Sequence, residues 1–230
     1  MKICLFSDIH GNGLAFRAAY PMILSEGADI NLFLGDLCGY YFDQEEILDG
    51  LLTLPNFEAV RGNHDQMFLD ILYGDEVLRQ NYLKKFGRSM ENLLERNSKA
   101  VNQWLSGLSD HLIHPMESVT ATHGSPWDHL EGYVYPDSPL EKFSDFPETL
   151  FFLGHTHHRM VLAVGEKKIV NPGSLGQPRG GGWPSYAVMD YRSGEVFFRE
   201  VPYDRTALLR QIEELDGHHP YLKKHLVLNN

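Results

Sequence analysis

Five apolar runs in this chain each stop at a short cassette of glycine, aspartate, asparagine or histidine, and this recurrence constrains the fold most. The run over 2–7 leads into Asp8-Ile9-His10, and that over 30–34 into Gly35-Asp36. The run over 57–61 leads into Gly62-Asn63-His64-Asp65, that over 119–122 into His123-Gly124, and that over 149–153 into Gly154-His155-Thr156-His157. In open α/β sheets ligands bind beyond the carboxyl ends of the strands, where all five cassettes fall. Glycines beside them permit tight turns and close backbone approach. Side chains two apart on a strand or its extension point to one side, so His155 and His157 can face one cavity and serve one metal or two neighbouring metals. Each cassette also has an ordinary reading: Asp8, Asn63 and Asp65 as helix caps, Gly35-Asp36 as a turn pair, His123 as a buried, hydrogen-bonded imidazole. Five in ordered succession exceed what turn chemistry explains.

The first half alternates short apolar runs with segments of helical spacing over 12–25 and 43–52, which predicts a layered α/β fold with a mostly parallel sheet there. Residues 63–108 show long helical patterning without a strand and read as a helical insertion of about 64–108 beside the sheet, with Ser89 as a cap and Trp104 in the core. The stretch 126–147 is rich in proline, aromatics and acids, and loops of that length in compact domains are usually functional or mobile. Strands follow over 149–153, 160–164, 168–170, 185–190 and 194–202, the last two joined by an Arg192-Ser193-Gly194 turn. A helix over 203–215 and a tail complete a single expected domain over 1–230.

Composition removes several function classes. The 230 residues carry a formal charge of −11, which argues against a stable nucleic-acid complex, because phosphate binding needs clustered Lys and Arg. No apolar run approaches the roughly 18 residues of a membrane span, and the start lacks signal-peptide character, so a cytoplasmic protein is expected. Two cysteines, Cys4 and Cys38, exclude a disulfide scaffold. Twelve histidines raise the expectation of a metal enzyme. Carboxylate, imidazole and amide oxygen together suit divalent Mn, Fe, Zn or Co, and the lack of a cysteine set argues against structural zinc. Seven candidate ligands exceed one ion's needs, so two ions sharing a bridging carboxylate are expected. A pair about 3.5–4 Å apart can bridge a hydroxide and clamp an in-line phosphoryl displacement.

As a set, Asp8-x-His10, Gly35-Asp36, Gly62-Asn63-His64-Asp65, His123-Gly124 and Gly154-His155-Thr156-His157 resemble the signature of the calcineurin-like metallophosphoesterase superfamily. The resemblance implies a four-layer α/β-β/α sandwich. It implies two divalent ions, with manganese first among Mn, Fe, Zn, Co and Ni. Asp8, His10, Asp36 and His157 would surround one ion and Asp36, Asn63, His123 and His155 the other. His64 would be the acid that protonates the leaving oxygen, rather than a ligand. Asn171-Pro172-Gly173-Ser174 and Gly176-Gln177-Pro178-Arg179 resemble the bacterial and archaeal phosphodiesterase branch. There Arg179 either grips a substrate phosphate or ties down its turn. Two departures stand out. Leu37-Cys38-Gly39-Tyr40-Tyr41 replaces the Asp-Arg-Gly of protein-phosphatase and dinucleoside-tetraphosphatase branches, removing their acid partner for the catalytic histidine. Gly180-Gly181-Gly182 follows Arg179, where close relatives would carry an acid.

The expected activity is hydrolysis of small phosphodiesters, with phosphomonoesters as further substrates. The alternatives are a phosphoprotein or dinucleoside polyphosphate hydrolase of the same superfamily, or a non-catalytic scaffold like the retromer subunit of this fold. The partner is a small phosphoester, and an oligomer is compatible with the sequence. Tyr40, Tyr41, Trp127, Tyr133 and Trp183 are candidates to line a pocket, though packing accounts for most. His158 should point away from the site, and His111, His114, His129, His218, His219 and His225 default to surface or structural roles.

Overall fold

The computed structural model describes residues 1–114, 118–179, 182–217, 219–224 and 226. Two five-stranded sheets face each other. The first has the order β10-β9-β1-β2-β3, built from β1 (Lys2–Phe6), β2 (Ile30–Phe33), β3 (Phe57–Ala59), β9 (Ser185–Asp190) and β10 (Val196–Glu200). The second has the order β4-β5-β6-β8-β7, built from β4 (His111–His114), β5 (Val119–Thr122), β6 (Leu150–Phe152), β7 (Arg159–Val164) and β8 (Lys167–Pro172). The first-half strands β1, β2 and β3 run parallel, as the alternating pattern requires. The sheet as a whole is mixed, because the β9–β10 hairpin joins antiparallel to β1. The second sheet repeats the plan, with β5, β6 and β8 parallel and β4 and β7 antiparallel at its edges.

The strand period of two sorts each run between layers. Ile3, Leu5, Leu32, Leu34 and Val60 meet Val119, Ala121, Leu150, Phe152 and Val170 between the sheets. Cys4, Phe6 and Phe33 face the other way, into a helical layer. That layer contains α1 (Gly13–Glu26), α2 (Gln44–Leu51), α3 (Asn63–Leu72), α4 (Glu76–Phe86), α5 (Ser89–Arg96) and α6 (Lys99–Gly107). Trp104 of α6 stacks on Phe33 at 6.5 Å between centroids, so it belongs to this core as expected. Truncating a ring as deeply placed as Phe33 to alanine should cost about 3–5 kcal/mol.

The outer face of the second sheet is covered differently. The 126–147 loop lays Val134 and Phe143 on Phe151, Leu153 and Ile169, with a short 3-10 turn at Glu141–Asp145 as its regular element. Finally α7 (Arg205–Asp216) packs with α8 (Pro220–Lys224) against Tyr40, Tyr41 and Phe42.

Several local expectations change. Ser89 does not cap α5: it is the first helical residue, fully buried, and its hydroxyl donates to the Gly39 carbonyl. Strand β4 carried too short an apolar pattern to be read, and α8 lies in what read as a tail. No helix among the described residues is long and apolar enough to cross a membrane. Gly180, Gly181, His218 and His225, and the side chain of His114, lie outside what the structure describes.

Candidate metal centre and cleft

The five cassettes converge where the carboxyl ends of β1, β2, β3, β5 and β6 meet. Backbone bonds clamp neighbouring cassettes: Asp8 N–H donates to the Gly35 carbonyl (2.9 Å), His10 N–H to that of Asp36 (2.9 Å), and Gly154 N–H to that of His123 (2.8 Å). Gly62 is required because a Cβ there would strike the Asp36 carboxylate, and one on Gly154 would strike the Ser7 hydroxyl. Asn12 Oδ1 caps α1 by accepting from Ala15 N (3.0 Å), while its amide donates to the Gly176 carbonyl (2.9 Å).

The backbone itself marks the site. Eight described non-glycine residues have positive φ, and five of them are Asp8 (55°), His10 (52°), Asp36 (66°), His155 (66°) and His157 (60°). Such conformations cost about 1–3 kcal/mol each and persist where the surroundings over-determine them. They also correct the reason His155 and His157 share a cavity. Strand β6 ends at Phe152, so strand alternation does not reach them. Instead two left-handed residues flank Thr156, whose N–H returns to the Gly154 carbonyl at 2.7 Å.

Hydrogen bonding on the outer side of each ring fixes what faces inward. His10 Nδ1 lies 2.9 Å from the Cys38 carbonyl and His157 Nδ1 2.6 Å from that of Gln177. A carbonyl only accepts, so both Nδ1 atoms carry protons and the two Nε2 atoms face one another 3.0 Å apart. Asp8 Oδ1 lies 3.3 Å from His157 Nε2, and Asp36 Oδ2 3.7 Å from His10 Nε2. Beside this group, His123 Nδ1 donates to the Leu34 carbonyl at 2.7 Å, turning Nε2 toward Asn63 Oδ1 (3.0 Å) and Asp36 Oδ2 (3.3 Å). The Asn63 amide donates outward to Glu131 Oε1 at 3.3 Å, which keeps its oxygen inward. Both Asp8 carboxylate oxygens and His155 Nε2 are buried without a hydrogen-bond partner. Carboxylate, imidazole and amide oxygen turned toward one another, with orphaned carboxylate oxygens among them, fit divalent cations.

The electrostatics agree. Burial pushes the Asp8 carboxyl up, but His157 and then His123 overrule it and hold it at about 2. Asp36 is held low by His123 and His64 against the same burial. Burial drives His10 well below the usual imidazole range, and takes His155 to about 4. On His123 burial is outweighed by Asp36, by their hydrogen bond and by Asp8, which raise it to about 10. Two ionised, buried carboxylates thus demand a cation, and without a metal the His123 proton serves as one.

His64 is set beside this group. Its N–H donates to Asp36 Oδ1 (2.8 Å), its ring lies 4.9 Å from that of His10, and burial lowers it to about 4. It opens onto a cleft of about 370 Å³. Met67, Lys85 and Phe86 form one wall, with Tyr221 from α8, and Glu131, Tyr133 and Tyr135 of the 126–147 loop form the other. Arg179 also lines the cleft, tethered by Nη1 to Gln177 Oε1 (2.6 Å) and by Nη2 to the Tyr221 hydroxyl (3.2 Å), so both of its expected roles are compatible.

Every candidate ligand is therefore brought together, with His64 and Arg179 at the rim. Of the aromatic candidates, Tyr40 and Tyr133 line the cleft. Tyr41 is buried, Trp127 packs on Phe143, and Trp183 lies against the Arg205 guanidinium. His158 is absent from the cleft lining, as expected. Sequence reading missed Glu131, Lys85, Phe86 and Tyr221, for which no spacing gave a signal. It also missed that His111 and His129 flank Asp110, a half-exposed cluster whose ion pairs at 2.7 and 3.3 Å account for it.

Comparison with known proteins agrees with this geometry. Residues 1–194 match the family model described as the calcineurin-like phosphoesterase superfamily domain. A crystal structure of a metallophosphoesterase from Sphaerobacter thermophilus is 29% identical, with a TM-score of 0.78 and 98% of each chain covered. A hypothetical protein from Pyrococcus horikoshii is 19% identical with a TM-score of 0.83, covering 100% of this chain and 98% of that one. An uncharacterized protein of Methanocaldococcus jannaschii is 27% identical, with 88% of each chain covered.

Proposed function

This chain belongs to the calcineurin-like phosphoesterase superfamily, and we infer from its site that it hydrolyses small phosphodiesters, with phosphomonoesters as further substrates, on two divalent ions. The observation that carries the reading is the convergence of Asp8, His10, His157, Asn63 and His123 about the Asp36 carboxylate, with both Asp8 oxygens left without a hydrogen-bond partner. Asp8, His10, Asp36 and His157 would hold one ion, and Asp36, Asn63, His123 and His155 the other, with Asp36 shared. Manganese heads the candidate metals. Bound there, the ions would activate water and offset charge on the phosphoryl oxygens.

The chain's own groups do the rest. His64 stands beside Asp36 at the edge of the cleft, where it protonates the departing oxygen. Arg179 and Lys85 place two cations on a cleft of an otherwise acidic protein, which suits an anionic ester. The 370 Å³ volume suits a small substrate rather than a folded phosphoprotein.

The test is elemental analysis of the purified protein with turnover measured across diesters, monoesters and dinucleoside polyphosphates in added manganese. Bound metal with diester turnover is the expected result. Neither metal nor turnover would make the protein a scaffold, and dinucleoside polyphosphates as the best substrates would move it to that branch.

A further inference from the structure

The branches that carry Asp-Arg-Gly supply an acid to orient the catalytic histidine, and this chain has none at that place. Its His64 is nonetheless held. Nδ1 lies 3.0 Å from the Tyr82 hydroxyl, which α4 carries into the core at 3% exposure. Ser89, the first residue of α5, is buried nearby, and its hydroxyl donates to the Gly39 carbonyl.

As an acid His64 carries a proton on each ring nitrogen, so both nitrogens donate. Nδ1–H then gives its hydrogen bond to the Tyr82 oxygen, and Nε2 becomes the nitrogen that exchanges a proton with the cleft. The Tyr40 hydroxyl stands 3.4 Å from that nitrogen.

We propose that Tyr82 is the positioning residue of His64, holding its ring with Nδ1–H on the tyrosine oxygen and Nε2 toward the ester's leaving oxygen. The proposal rests on the acid role of His64 given above. In the step it serves, His64 first takes a proton from solvent in the cleft on Nε2, becoming imidazolium, and then passes that proton to the leaving oxygen as its bond to phosphorus breaks. His64 is left neutral with Nδ1–H still on Tyr82, and Tyr82 keeps its own proton throughout. A tyrosine differs here from an aspartate in adding no negative charge beside Asp36.

Two measurements test this. The first is histidine-ring ¹⁵N NMR on the full chain loaded with zinc, which is diamagnetic. The parent should show His64 as a single Nδ1–H tautomer, and Tyr82→Phe should show a mixture. Phenylalanine keeps the ring contacts of Tyr82 to Phe86 (4.9 Å) and His64 (5.6 Å), so the fold should survive. An Nε2–H tautomer in the parent, or an unchanged tautomer in Tyr82→Phe, overturns the proposal.

The second is kinetic. With methyl phenyl phosphate Tyr82→Phe should lose about tenfold or more in kcat, a part of the 10²–10⁴ that a general acid supplies, with KM and zinc content unchanged. With bis(p-nitrophenyl) phosphate, whose leaving group needs little protonation, the loss should be under about twofold. Equal losses on both esters would make Tyr82 merely structural. A His64→Ala variant separates the two readings. If it too is indifferent to the leaving group, the acid role fails, and the tautomer alone then decides whether Tyr82 holds the ring.

Discussion

The floor of the cleft and its walls are built on different terms. Asp8, His10, Asp36 and His123 on the floor are at most 1% exposed, each lies within four residues of a strand end, and three of them are locked at positive φ. The walls come from α4, α8 and the 126–147 loop, and Tyr133 and Tyr135 there are 54% and 40% exposed. A floor group sits where two sheets over-determine its position, so changing it removes the whole arrangement. A wall group sits on one helix or loop, so changing it should tune the reaction and leave the metals in place.

The largest effect is therefore expected from Asp36→Ala, which removes the carboxylate proposed above to serve both ions. Metal content should fall to background and turnover with it, as elemental analysis and a diester assay would show. Retention of one full equivalent of metal would mean that Asp36 is not shared. The floor also sets the acid sensitivity of the chelated protein. Burial takes His64 and His155 to about 4, below the ordinary 6.5 of an unfolded histidine. Between those values the unfolded chain binds protons that the folded one refuses, so acidification favours unfolding. Tm of the chelated protein should drop between pH 7 and pH 5, and a flat profile would contradict those directions.

His64 stands on the boundary, at the start of α3 but hydrogen-bonded to the floor. His64→Ala should lose about 10²–10⁴ in kcat on an unactivated diester while keeping both metals. Full turnover on that ester would remove the acid role, and lost metal would move His64 onto the floor as a ligand.

This division follows what was legible in the sequence. The floor could be read because each ligand follows an apolar run within a few residues, so strand and ligand appear as one local word. The left-handed backbone could not, since Asp8, His10, Asp36, His155 and His157 look like ordinary strand-end residues. Glu131 and Tyr221 reach the cleft, and Tyr82 reaches His64 behind it, from segments far apart in the chain, with no spacing to announce them. The loop's packing was hidden for a similar reason: Val134, Phe143 and Phe146 are too irregularly spaced to show one buried face. Ser89 misled because serine before a helical pattern normally caps, and its burial against Gly39 is a tertiary contact.

Glu131 offers a test of where floor gives way to wall. Its carboxylate accepts from the Asn63 amide at 3.3 Å and is itself exposed to solvent. Groups that orient a ligand typically contribute 10–100-fold to metal affinity. Exposure places Glu131→Ala at the low end, about tenfold, at one ion site only. Titration of the chelated variant with manganese should show one weakened and one unchanged step. Two weakened steps would show that the loop supports the floor as a whole.

The smallest effect probes the wall's own foundation. Asp75 caps α4 by accepting from Leu78 N at 2.9 Å, at the end of the helix opposite Lys85 and Phe86. Asp75→Ala should cost about 1 kcal/mol of stability, the usual loss for a helix N-cap. Fraying begins at the first turn, two turns from Tyr82, so kcat and metal content should stay within about twofold of the parent while the urea midpoint falls. A loss of metal from so distant a cap would show that α4 props up the ion sites. The separation between a self-sufficient floor and a tunable wall would then fail at α4.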